Sequence, residues 1–225
     1  EILRCLVGSE MCIRDRNMGL VIDTLFRGNM RRLGSYMEGY GDLTLPLKAP
    51  EYSKKKAMEY FARAGYREMG TDGVLKNERG ERLVVELTFA DSSTLMTNVC
   101  SILRQEALKC GVDLRLDSLT YSVCSRKVFE KRYQAALWAW PLQTPFPRLY
   151  ETFSSELAYD ARGNPVGNTN NIMAVSDAGL DAALDAERNA PDIGSLKLAL
   201  HRAQQRLHEL CVWIPGWREP YTHIA

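Results

Sequence analysis

Several things are scarce in this sequence. Charge of one sign is the first: 29 Lys and Arg against 28 Asp and Glu leave a formal charge of +1. That balance gives no electrostatic case for nucleic acid or an anionic membrane surface. Apolar runs long enough to span a bilayer are absent, as are repeats and low-complexity tracts. Histidine occurs only three times. The nearest approach to a metal set is His201, His208 and Cys211 on the last helical stretch, which no carboxylate joins at ligand spacing, so no metal is expected. No GxSxG elbow, P-loop, GxGxxG or HExxH is found, and no cofactor is expected. The acids Asp181 and Asp185, four apart on a helix, lack the apolar surroundings that split two pKa values for acid–base work. With no catalytic set in view, the sequence is read as a binding protein and not as an enzyme. Cysteines have no CxxC spacing: Cys100, Cys110, Cys124 and Cys211 are scattered among helical segments and are expected as buried free thiols.

What is present is ordinary globular composition, 45% hydrophobic and 25% charged, sufficient for one large or two modest domains. The segment Leu6–Arg16 reads letter for letter as a translated transposase-type sequencing adapter. Residues 1–16 are therefore set aside as non-native, and the chain is expected to be a fragment lacking its true beginning.

From Asn17 the pattern alternates between two periodicities. Asn17 is expected to cap a helix to Phe26, stopped by Gly28. Arg27, Arg31 and Arg32 form a basic cluster, read as a solvated face. Gly34 to Pro50 reads as an irregular loop. Ser53 caps a helix with Ala57, Tyr60, Phe61 and Ala64 inward, closed by Gly65. Two turns flank a short strand within 71–80. Residues 82–90 read as a strand, with Leu83, Val85 and Leu87 on one face. Ser92 or Ser93 opens a helix to Lys109, with a stripe of Leu95, Val99, Leu103 and Ala107. Residues 112–119 alternate strictly, as in a strand with one wetter face at a sheet edge. A helix over 121–131 then leads into Tyr133 to Trp140, expected as a strand buried on both faces and ending at Pro141. This order of strand, helix, strand, helix, strand implies crossovers and a largely parallel sheet.

Beyond Pro141, residues 142–167 read as a long loop, which in a compact domain is usually functional. Asn168–Asn171 is a polar knot that can bond loop backbone or a ligand's main chain. Helices are expected from Ser176 and from Ser195 to Leu210, the latter with Leu198, Ala199, Ala203 and Leu207 inward. Residues 212–218 form a final extended piece broken at Pro215-Gly216. Trp138, Trp140, Phe146, Tyr150, Trp213, Trp217 and Tyr221 gather near strand ends or after prolines, as aromatic walls of a ligand cleft do. The ligand-binding candidates are Trp138, Trp140, Asn170, Asn171 and Trp217.

The ordered set of Asn17–Gly28, Lys56–Tyr66, Asp72–Val74, Leu103–Leu116, Ala136–Trp140, Asn170-Asn171, Ser176–Asp181 and Ile214-Pro215 resembles the C-terminal half of the family 5 extracellular solute-binding proteins. These are the peptide-binding components of ABC importers. The resemblance implies a type II periplasmic-binding-protein-like α/β fold of two lobes joined by a hinge. Residues 17–212 would be the second lobe and residues 213–225 the return toward the first. It implies a monomer that captures peptides or peptide-like solutes and delivers them to an ABC permease. The implied location is periplasmic, or extracellular on a lipid anchor, and nucleic acid is not implied as a partner. One departure concerns the ligand's amino group. Many members carry an aspartate three residues after the tryptophan matching Trp138, where this sequence has Pro141; Asp160 or Glu151 would have to substitute. Two other readings share the pattern: a sensor domain of a transcription regulator, and an α/β enzyme whose site lies outside this chain.

Overall fold

The structure is a computed structural model that describes residues 17–49, 52–139 and 148–218. Trp140, Pro141, Phe146 and Tyr221, and the adapter-like residues 1–16, lie outside the described residues.

The architecture starts with helix α1, Met18–Phe26, whose N-cap Asn17 accepts a hydrogen bond from Leu20 N–H at 3.0 Å. It ends on left-handed Arg27 and Gly28, where a helix commonly reverses. Strand β1, Arg31–Arg32, follows, then a 3₁₀ turn at Gly41–Leu43. Helix α2, Lys54–Arg63, is capped by Ser53 and buries Ala57 and Phe61. A hairpin of β2, Tyr66–Met69, and β3, Leu75–Asn77, comes next. Only the second of these strands is legible in the sequence, because Tyr66–Met69 has no buried residue to set a period.

The main sheet has the order β5-β4-β6, all parallel: β4 is Val84–Ala90, β5 is Asp113–Leu119 and β6 is Ala135–Ala136. Helix α3, Thr94–Lys109, links β4 to β5, and α4, Tyr121–Phe129, links β5 to β6. The period of two sorts the faces of β4. Val85, Leu87 and Phe89 enter a core shared with α1, α2 and α3. On the opposite face Glu86 and Thr88 meet polar groups. Lys127 of α4 bonds Glu86 at 2.7 Å and Asp117 at 2.6 Å, and Thr88 donates to Asp117 at 2.9 Å. Gly111 ends α3 at φ +86°, and an added Cβ would lie 2.6 Å from the Leu75 side chain. Glycine is therefore needed twice over, for the turn and for the close approach.

Two corrections concern the sheet. The segment at 133–140 is not a strand buried on both faces. Its ladder is Ala135–Ala136 at the edge of the described sheet, with Trp138 half-buried and Ala139 exposed. The small-and-large apolar run reflects a rim, not a centre; β4 is the strand with neighbours on both sides. The stripe on α3 holds at Val99, Leu103 and Ala107 and differs at its start and breadth. Leu95 is exposed, while Cys100 and Glu106 are buried.

The second region is helical. Residues 148–167 are not one irregular loop: they hold α5, Leu149–Phe153, and a 3₁₀ turn at Ser155–Leu157. Helices α6, Ala178–Arg188, and α7, Ile193–Leu210, pack as an antiparallel pair over a core of Leu180, Leu184, Leu200 and Leu207 with Met37 and Phe153. Their caps are Asp177 and Asp192, not Ser176 and Ser195. Each aspartate accepts from the N–H three residues on, at 2.8 Å. A carboxylate caps as well as a hydroxyl and also faces the positive end of the helix dipole. On α7 Ala199, Ala203 and Leu207 face inward as expected, and Leu200 takes the place expected of Leu198, which is 61% exposed. Strand β7, Trp217–Arg218, closes the chain's path by pairing antiparallel with β1.

Candidate functional site

A cavity of about 580 Å³ lies where the two regions meet. Its floor is the carboxyl end of the parallel strands, at Phe89 and Ala90 of β4 and along β6 and the residues that follow it, Leu137–Ala139. Ser92 and Met96 at the start of α3, and Tyr121 at the start of α4, border the same end. Ligands of open parallel sheets sit at this edge. The facing wall comes from Tyr36, Glu38 and Tyr40, from Leu149 and Met173, and from Trp213 and Trp217.

The aromatic groups hold one another in place. Trp138 stacks on Tyr121 with centroids 6.2 Å apart and an interplanar angle of 15°, and meets Phe129 edge-on at 5.9 Å. Tyr36 is edge-on to both Phe153 at 5.0 Å and Trp213 at 5.2 Å. Trp217 is tilted against Phe26 at 5.3 Å. Rings fixed this way offer apolar surface without losing rotamer freedom on binding. Burial pushes the Tyr36 phenol up to about 12 against the pull of its hydrogen bond with Thr152. It is thus a neutral hydroxyl at any ordinary pH.

The sequence candidates separate cleanly. Trp138 and Trp217 line the cavity. Asn170 is exposed and does not line it. Asn171 is 0% exposed and also does not line it. Its amide donates to the Ser154 and Val175 carbonyls at 2.9 Å and accepts from Val175 N–H at 3.0 Å. Of the two roles open to it, loop backbone is the one the geometry displays. Trp140 falls outside the described residues.

The proposed stand-ins for the missing aspartate are likewise engaged elsewhere. Asp160 accepts from Arg162 N–H at 2.8 Å and Asn164 N–H at 2.9 Å, an Asx turn of its own loop. Those bonds to Asn164 and Arg162 hold its carboxyl below the usual range. Glu151 pairs with Arg148 at 3.1 Å. Neither borders the cavity.

Three groups have no counterpart among the sequence candidates. Tyr36 and Glu38 sit in the Gly- and Tyr-rich stretch that reads only as loop; its tyrosines are a usable signal, its glutamate is not. Lys131 is the third. It has φ +58° and is 3% exposed. Its ammonium donates to the carbonyls of Leu157 at 2.7 Å and Ala158 at 3.3 Å, to Val166, and to Thr169 Oγ1 at 3.1 Å. That cluster ties the 157–169 loop to the end of α4. Glu187 plays a similar part for α5, accepting from Leu149 N–H at 3.0 Å and Tyr150 N–H at 3.2 Å. Burial pushes its carboxyl up to about 7, with those N–H groups pulling the other way.

Among the described residues no three His, Cys, Asp or Glu side chains are grouped to hold a metal ion. His201 Nε2 instead lies 3.1 Å from the Asp42 carbonyl. No described helix is long and apolar enough to cross a membrane.

Comparison with known proteins gives this geometry its context. No family model matches the chain. Among curated proteins, it is similar to the oligopeptide-binding protein AppA of Bacillus subtilis (strain 168), 23% identical over 107 residues, which is 47% of this chain and 19% of AppA. Among solved structures, AppA in complex with a nonapeptide superposes with a TM-score of 0.79 at 16% identity, covering 96% of this chain and 41% of that one. The oligopeptide-binding protein of Thermus thermophilus complexed with a pentapeptide gives 0.80 at 16%, covering 96% and 38%. NikZ of Campylobacter jejuni in complex with Ni(L-His) gives 0.74 at 19%, covering 96% and 41%. The chain thus has the mixed helical and parallel-sheet fold of the type II solute-binding proteins. It spans about two fifths of the solved relatives it matches, so it carries part of that fold.

Proposed function

We propose that this chain is the second lobe of a substrate-binding component of an ABC importer, which captures peptides or peptide-like solutes between two lobes. The observation that carries the reading is the ring-lined cavity at the carboxyl ends of β4 and β6, on a fold shared with proteins solved around a nonapeptide and a pentapeptide. Flat apolar walls with a few polar groups suit a ligand of varied side chains.

Residues 17–212 form the lobe, and the segment from Trp213 returns along β1 toward the other half. Ligand bridges both halves and shifts an open–closed equilibrium, and the closed form docks on a membrane permease. Trp138 and Trp217 contact the ligand, while Asn171 acts through the loop it holds. The protein works outside the cytoplasmic membrane as a monomer and carries out no chemistry on its cargo.

The test is thermal unfolding of a version long enough to include both lobes, screened with a peptide library containing N-terminally blocked members. Ligand that binds only the native state must stabilise it, by about 2.7 kcal/mol at a concentration 100 times Kd. A rise in Tm of several degrees with peptides is expected. A rise only with sugars or metal chelates would retain the fold and overturn the peptide reading.

A further inference from the structure

The sequence points to the long loop before residue 167 and to the polar knot after it as functional stretches, yet no described residue from 150 to 171 lines the cavity. What the loop does touch is the end of α4. Asn168, left-handed at φ +57°, donates its N–H to the Phe129 carbonyl at 3.0 Å. Two residues beyond Phe129, the Lys131 ammonium donates to the carbonyls of Leu157, Ala158 and Val166 and to Thr169 Oγ1. The loop therefore grips the close of α4 on both sides of Glu130.

Phe129 is the last residue of α4, and its ring leads back to the cavity. It packs against the cluster of Cys124, Val128 and Ile172 and meets the Trp138 indole edge-on at 5.9 Å and 83°. Phe129 does not line the cavity, whereas Trp138 does. Trp138 needs such a support. Its strand stops at Ala136, and the bond from Leu137 N–H to the Thr88 carbonyl, at 3.0 Å, is the last to β4 among the described residues. The indole is thus held by rings and not by its own backbone. Of its two ring neighbours Tyr121 is 64% exposed, while Phe129 is half-buried in a packed cluster. The packed ring is the firmer buttress, because close-packed neighbours leave it no room to shift.

From this we infer that Phe129 is a positioning residue for ligand binding: braced by the 157–169 loop, it sets the orientation in which Trp138 meets the ligand. The inference rests on the peptide reading above and deepens it. The loop then governs affinity at one remove, through Phe129 and Trp138, without touching the ligand. A preset indole keeps the ordering cost of binding low, and removing its edge-on partner forfeits what one aromatic pair supplies.

The experiment is a double-mutant cycle on the two-lobed protein, with peptide affinity read by isothermal titration at a temperature where every variant is folded. Phe129→Leu keeps apolar bulk and removes the ring edge; Phe129→Tyr keeps the ring. Each is measured with Trp138 intact and in a Trp138→Ala background. With Trp138 intact, Phe129→Leu should lose about three- to tenfold in affinity, the range of one aromatic pair, and Phe129→Tyr should restore it. In the Trp138→Ala background both should be neutral within about twofold, since a residue that acts through Trp138 has nothing left to act on. An equal loss in both backgrounds, or no loss with Trp138 intact, would overturn the inference. A second readout needs no peptide. The fluorine resonance of 5-fluorotryptophan at position 138, assigned by its disappearance in Trp138→Ala, should move in Phe129→Leu and in Lys131→Met and return in Phe129→Tyr. A resonance unmoved by Phe129→Leu would overturn the brace, and one unmoved by Lys131→Met would overturn the loop's part in it. Failure of the unmodified protein to bind any peptide would overturn the peptide reading, and the ligand role of Phe129 with it.

Discussion

The two walls of the cavity are built by different means. Around β4 cohesion is periodic and apolar: Val85, Leu87 and Phe89 alternate into one core with Val99 and Leu103 of α3 and Leu114 of β5. Around α6 and α7 the apolar core is joined by polar clasps. Lys131 gathers the 157–169 loop, Asn171 holds the next turn, and Glu187 starts α5. Gln204 accepts from Leu45 N–H at 2.9 Å and donates to the Leu43 carbonyl at 2.8 Å, fixing the segment that carries Tyr36 and Glu38. The difference teaches where rigidity comes from. A sheet is specified by a repeating pattern, whereas loops that face a ligand must satisfy their backbone one group at a time.

The largest expected effect tests the apolar side. Leu87→Ala, at a position 1% exposed in the central strand, should cost about 2–5 kcal/mol by urea unfolding. A loss below about 1 kcal/mol would mean that the sheet is not the anchor. On the polar side, Lys131→Met removes the ammonium from three carbonyls; Leu157 keeps the Thr169 hydroxyl and Ala158 keeps Val166 N–H, and the Val166 carbonyl loses its donor. It should cost about 1–3 kcal/mol, the range for one buried group left unsatisfied. A neutral outcome would erase the contrast between the walls.

A pH titration sharpens the comparison further. The Glu187 carboxyl is raised from 4.5 to about 7, so the folded state binds more protons than the unfolded between those values. Stability contributed by this group is full below about pH 4.5 and declines as pH rises to about 7, by at most about 3 kcal/mol. Glu187→Gln should flatten that decline, and an unchanged slope would contradict the assignment. Asp177 has the opposite sign. Its hydrogen bonds from Arg206, the nearer at 2.7 Å, and its cap bond to Leu180 hold it at about 2. Its contribution is present above about pH 3.8 and is lost as pH falls toward 2. Asp177→Ala should cost about 1–2 kcal/mol at neutral pH, chiefly the lost cap, and should remove that acid limb.

Much of the sheet is legible in the sequence because its information is local and repeated. The caps Asn17, Ser53 and Ser93, the period of β4 and the wet edge of β5 follow from neighbours in sequence. The site is legible in part. Trp138 and Trp217 reach the cavity, since aromatic residues at strand ends and after Pro-Gly turns have few other places to go. Glu38 and Lys131 are not legible, because nothing beside them in sequence shows a distant carbonyl or cavity. Asn171 misleads for the same reason: an amide suited to a ligand's main chain is equally suited to Ser154 and Val175. The apolar run at 133–139 misleads through composition, since apolar content marks a cavity rim as readily as a strand core.

The most direct test of the central claim, that the ligand lies on the ring-lined floor and not on the polar knot, is a pair of titrations on the two-lobed protein. Peptide affinity is measured for Trp138→Ala and for Asn171→Ala. At least a tenfold loss is expected for Trp138→Ala. For Asn171→Ala the expected result is a lower Tm with affinity within about twofold at a temperature where both variants are folded. Unchanged affinity in Trp138→Ala together with a large loss in Asn171→Ala would place the ligand at the knot and contradict the site.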